Sequence, residues 1–163
     1  MLDGAMGTML QAKGLKAGEM PELLSLTHAD TIVQIHKEYI QAGAQVVYTN
    51  TFGANRYKLS DYKASVQQVI GAAVENARRA CEGTNTLVAL DIGPVGKLLE
   101  PNGTLAFEQA YDIFKEQVLA GQGADLIVLE TMTDLYELKA ALLAVKENSA
   151  LPVMCTMTFE QNM

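Results

Sequence analysis

Short, wholly apolar runs alternate along this chain with segments whose apolar residues recur every three or four positions. The runs at 45–50, 86–91, 126–130 and 152–159 are too short for helices and carry no polar alternation, so each reads as a strand buried on both faces. Between them, Ile32, Val33, Ile35, Tyr39 and Ile40 share one helical face, as do Val66, Val69, Ile70, Ala73 and Ala77 on a helix predicted from about 61 to 81. Phe107, Tyr111, Phe114 and Val118 define a third helix, and Leu135, Leu138, Leu142 and Val145 a fourth that starts near Asp134, with Glu137 three residues on. Thr27-His28-Ala29-Asp30 has the form of a capping box with Asp in the usual Glu place. Alternation of this kind predicts a parallel sheet covered by helices.

The chain also repeats itself. Gly43-Ala44 followed by an apolar run, Asn50 and Thr51 matches Gly123-Ala124 followed by an apolar run, Glu130 and Thr131, at an offset of 80 residues, or two βα units. Polar residues at strand carboxyl ends fit a (β/α)8 barrel, whose site is built there. A doubly wound sheet binds ligands at the same ends, so periodicity leaves both open.

The chain has 163 residues, enough for one domain with a sizeable core, read here as a single unit over 1–163. A formal charge of −7 argues against nucleic acid or an anionic membrane as partner. No apolar run approaches the roughly 20 residues that span a bilayer, and no basic segment with an apolar core opens the sequence. A cytoplasmic location is the expectation. Cys81 and Cys155 lack metal-ligand spacing, and Cys155 reads as a small core residue on the last strand. Neither His28 nor His36 sits where a ligand is expected. The segment bounded by Gly93-Pro94 and Pro101-Asn102-Gly103 is long enough for a functional loop.

Five predicted strand ends carry polar or glycine-rich sequence: Asp3-Gly4-Ala5, Asn50-Thr51, Asp91-Ile92-Gly93, Glu130-Thr131 and Thr156-Met157-Thr158. In the Gly4-Ala5-Met6-Gly7 loop, backbone N–H groups could converge on an anion such as a carboxylate, or the loop could be a plain turn. Asp3 and Glu130 would face a common mouth, either to hold an ammonium group or to cap neighbouring helices. Met6 and Met9 could line an apolar pocket.

Taken in order, DGAMGTML, TNTFGANRYKLSDY, LDIGPVGKLLEPNGTL, LETMTDLYELKAAL and PVMCTMTFEQN resemble the homocysteine S-methyltransferase family across the whole chain. That resemblance implies a (β/α)8 barrel whose mouth binds homocysteine and a zinc ion. Zinc would activate the substrate thiol for attack on a methyl group from methylcobalamin, methyltetrahydrofolate or another donor, giving methionine. Carried over by motif, the backbone of Gly4, Ala5 and Met6 would receive the homocysteine carboxylate, Asp3 and Glu130 its ammonium, and Asn50 and Asp91 would support the mouth. The family's zinc ligands are cysteines at the sixth and eighth strands; neither Cys81 nor Cys155 matches them, so no metal ligand is assigned. Only Met1 and Leu2 precede the Asp-Gly-Ala stretch, where the family has a full first strand. The expectation is therefore a partial barrel of roughly the first five βα units, with the amino-acid half of the site, no zinc half, and no turnover alone. Its unpaired sheet edges could join two copies. Rival readings are a non-catalytic accessory protein of a methyl-transfer or corrinoid system, and an independent doubly wound domain.

Overall fold

Four strands, β1 (Val46–Tyr48), β2 (Leu87–Ile92), β3 (Leu126–Met132) and β4 (Val153–Met157), form one sheet in the order β1-β2-β3-β4, every pair parallel. The computed structural model describes residues 1–16 and 18–159; the last three residues quoted in the PVMCTMTFEQN motif lie outside them. The helices are α1 (Met6–Ala12), α2 (Leu24–Thr27), α3 (Ala29–Gln41), α4 (Val66–Cys81), α5 (Phe107–Ala120) and α6 (Leu135–Asn148). Leu2 adds one parallel bridge to Val46, a single-residue counterpart of a strand preceding β1.

Spatial order equals chain order, so no point exists in the sheet where the winding reverses. Each βαβ crossover takes the same hand, which lays successive helices side by side on one face. Accordingly α3 packs on α4, α4 on α5 and α5 on α6. This is the arrangement of an open, partial barrel, and it disfavours the doubly wound alternative, which needs helices on both faces. Leu90, Ile92, Ile127 and Leu129 point into that helical layer and meet Val69, Ile70, Phe114 and Val145, all buried.

The echoed glycines do the same job twice. Gly43 and Gly123 each have φ of +101°, a conformation rarely open to residues with a side chain, and each turns the chain from a helix into a strand.

Several local expectations are corrected. Helix α4 starts at Val66, not near 61, because Ser65 and Gln68 form a reciprocal capping box. The Thr27–Asp30 box does not form: His28 is the N-cap of α3 without a side-chain cap, and the Thr27 hydroxyl donates back to Leu23 O at 3.3 Å. The read loop at 4–7 is half helix, since α1 begins at Met6. In α6 Leu135 is 57% exposed; Val145 is buried as expected and Leu138 and Leu142 pack against the core, with Ala140, Ala141 and Ala144 buried beside them. Cys155 is exposed, on the outermost strand, and Cys81 is buried in α4. The segment after β2 is structural: Val95, Leu99 and Leu105 are buried in the core, and Leu99 bridges to Leu105. Among the described residues no helix is long and apolar enough to cross a membrane.

Candidate functional site

The carboxyl ends of the strands surround a cavity of about 510 Å3, within the range of small-molecule sites. Asp3, Gly4, Ala5, Met6, Asn50, Asp91 and Glu130, all singled out by sequence, line it together. Met9, by contrast, packs against the Leu10, Ile32 and Ile35 cluster.

Asp3 is held from both sides. Its N–H donates to Val46 O at 3.0 Å and its Oδ2 accepts from the Tyr48 N–H at 2.9 Å, which locks the residue beside the end of β1. A Cβ on the next residue, Gly4, would lie 2.9 Å from the Tyr39 ring and hydroxyl, so any larger residue there would have to displace the Tyr39 side chain. Tyr39 and Thr8 hydroxyls both donate to Ala5 O at 3.1 Å. The loop's carbonyl is thereby occupied, while the N–H groups of Gly4, Ala5 and Met6 have no hydrogen-bond partner among the described residues.

A ring of hydrogen bonds fixes the ends of β1 and β2 to each other. The Asp91 N–H donates to Thr49 Oγ1 at 3.0 Å, and Thr51 Oγ1 donates to Asp91 O at 2.6 Å. Each hydroxyl has one proton, so the 2.6 Å contact between them runs from Thr49 to Thr51. Asn50 is turned away: its amide donates to Pro21 O at 2.8 Å and Ser25 Oγ at 3.2 Å, tethering the segment before α2. That segment brings in Glu22, a wall residue that the sequence patterns did not single out. Glu22 is buried and its Oε1 accepts from the Gly53 N–H at 2.6 Å. Tyr48 also lines the wall unforeseen; its place on the inward side of an apolar run was the available sign.

The cavity is strongly acidic. Asp3, Glu22, Asp91 and Glu130 line it, and none of its described lining residues is basic. Burial, opposed in part by the Tyr48 N–H and reinforced by the Glu130 charge, pushes the Asp3 carboxyl up to about 6. Burial, then the charges of Glu130, Asp3 and Glu22, hold Asp91 well above the usual carboxylate range. Burial raises Glu130, and burial with the surrounding carboxylates drives the Tyr48 hydroxyl up to about 12. Each shift disfavours adding negative charge, so the empty wall is poised for a cationic group. Beside Glu130, Thr131 has φ of 60°, a strained value for a β-branched residue, with its N–H donating to Thr156 Oγ1 at 3.0 Å. Among the described residues no group of three or more His, Cys, Asp or Glu is arranged to hold a metal ion.

A parallel sheet wound in one direction, with an acid-walled cavity at its strand carboxyl ends, defines an α/β protein of the open-barrel class. The sequence model of the homocysteine S-methyltransferase family matches residues 1–163, and the chain belongs to that family. It is 33% identical over 178 aligned residues to the methionine synthase of Mycobacterium tuberculosis, an alignment covering 97% of this chain. With the methionine synthase of Mycobacterium leprae the identity is 35% over 156 residues, covering 86% of the chain. The alignments span 15% and 13% of those two proteins. Among solved structures, the oxidized form of the homocysteine methyltransferase MmuM from Escherichia coli superposes with a TM-score of 0.86 at 23% identity, which supports the fold. The metallated form of the same enzyme gives 0.83 at 26% identity. Each of these two alignments covers 98% of this chain and 62% of the MmuM chain.

Proposed function

We propose that this chain recognises the amino-acid end of homocysteine for the methyl transfer that forms methionine. The N–H groups of Gly4, Ala5 and Met6 receive the substrate carboxylate, and Asp3 and Glu130 hold its ammonium. Asp91 and Asn50 support the mouth, Asn50 from behind through its bonds to Pro21 O and Ser25 Oγ. The observation that carries this reading is the meeting, in one cavity, of three free backbone donors with an acidic wall that has no basic lining residue described. An α-amino acid presents the complement: a carboxylate for the donors, an ammonium for the acids.

Once both ends are held, the side chain of homocysteine projects from the cradle. A free thiol is mostly protonated at neutral pH, its ordinary pKa being about 8.5, and needs activation. The family resemblance assigns that task to zinc, with methylcobalamin or methyltetrahydrofolate as the methyl source. The described residues do not fit a metal centre, so this chain's contribution is binding and orientation, and no step runs through a metal here. The chain alone is expected to bind homocysteine without turning it over.

Calorimetry with L-homocysteine tests the reading. Glu130→Ala removes a charge-assisted hydrogen bond and should weaken binding by about 1.5–3 kcal/mol, or about 10- to 150-fold, with normal melting. Unchanged affinity would remove Glu130 from the ammonium site.

A further inference from the structure

Asp91 is 5% exposed, yet its Oδ1 has no hydrogen-bond partner. His36 and Gln117 are also buried with unpartnered side-chain atoms, but neither lines a described cavity. Asp91 does. Its backbone is fully occupied by the Thr49 and Thr51 hydroxyls, so its position is rigid while its carboxyl is left unanswered. A buried polar atom without a partner is costly and rare in native proteins. Oδ1 is sealed, but Oδ2 is not, and it too accepts no hydrogen bond among the described residues, so the carboxyl presents a free oxygen to the cavity it lines with Asp3 and Glu130.

Counting donors defines the ligand group. A primary ammonium has three N–H donors and no acceptor. Asp3 already uses Oδ2 on the Tyr48 N–H, and Glu22 uses Oε1 on the Gly53 N–H. Glu130 makes no hydrogen bond to any described side chain or loop. We propose that the Asp91 carboxyl is the third acceptor of the substrate ammonium, completing with Asp3 and Glu130 a set of three oxygens for three N–H donors. The site therefore selects an unsubstituted α-amino group. This inference rests on the homocysteine reading and deepens it.

Three carboxylates would overcompensate one positive charge. Asp91 faces Asp3, Glu22, Glu130 and the Tyr48 hydroxyl, and its burial with the charges of the three acids pushes its carboxyl well above the usual range, which favours the protonated form. Its carbonyl oxygen then accepts while the net charge of the site stays close to balance. A neutral carboxamide can do the same.

The test compares L-homocysteine with N-methyl-L-homocysteine, which has one N–H fewer, on the wild-type chain, Asp91→Asn and Asp91→Leu at pH 7. Asp91→Leu should lose L-homocysteine affinity by about 10- to 100-fold, while Asp91→Asn stays within about twofold of wild type. N-methylation should weaken binding to wild type by a similar factor and add no further loss in Asp91→Leu. The Leu variant should melt no lower than wild type, because an apolar residue replaces an unpaired buried carboxyl; a structural role for Asp91 would instead lower its melting temperature. Asp91→Ala serves if the Leu variant does not fold. Undiminished L-homocysteine binding by Asp91→Leu, or an equal loss with both ligands, overturns the assignment and leaves the homocysteine reading standing. No L-homocysteine binding by the wild type overturns both.

Discussion

Asp3 shows how a carboxyl placed on the cavity wall costs folding stability. Its carboxyl titrates at 3.8 when free and about 6 in the folded chain, so the native state holds the proton more tightly. The stability linked to that proton is fully present below pH 3.8 and is lost as pH rises through about 6. Asp3→Asn keeps an oxygen for the Tyr48 N–H and removes the loss. The variant should exceed wild type in stability by on the order of 1 kcal/mol at pH 7, with the difference vanishing by about pH 4. Denaturant titrations at the two pH values measure it; a variant less stable at pH 7 would mean that the ionised carboxylate is structurally favourable. His36, fully buried and lowered to about 4, opposes this trend in both proteins and cancels in the comparison. Asp3, Glu130 and Asp91 were legible as candidates because each ends an apolar run or opens a glycine loop. Glu22 was not, since its role depends on the Asn50 amide reaching back to Pro21 O and on a backbone N–H at Gly53.

Among the elements, the helices show which signals survive folding. Asp134 is the N-cap of α6, accepting from the N–H groups of Tyr136 at 2.7 Å and Glu137 at 3.3 Å. Asp134→Ala should destabilise the chain by about 1 kcal/mol, read from a shifted denaturation midpoint with unchanged slope. No change would show that water replaces the cap. Glu137, three residues on, sends its Oε1 not back to the cap but to the Val95 N–H at 2.7 Å, which ties α6 to the segment after β2. A local sequence rule could not foresee a partner 42 residues away. The same holds just past β1, where the Thr49 N–H still donates to Ala89 O at 2.9 Å but the Thr49 and Thr51 hydroxyls bond with each other and with the Asp91 backbone.

At the scale of the whole molecule, the alternation of apolar runs with helical periods was sufficient for the parallel sheet, because each βα unit is a local instruction repeated; the order of its strands, which alternation left open, followed only from the family resemblance. The 80-residue echo is a backbone echo: Gly43 and Gly123 share one φ, while Asn50 anchors a loop and Glu130 faces the cavity. What alternation could not supply was the convergence of side chains from α1, the segment before α2 and three strands on one cavity. That convergence is the centre of the account. A crystal structure of the chain with L-homocysteine tests it most directly. The account predicts the amino-acid carboxylate at ordinary hydrogen-bond distance, about 2.7–3.2 Å, from the Gly4, Ala5 and Met6 N–H groups, with the ammonium among Asp3, Asp91 and Glu130. Homocysteine bound elsewhere, or with its ammonium turned away from these acids, would contradict it.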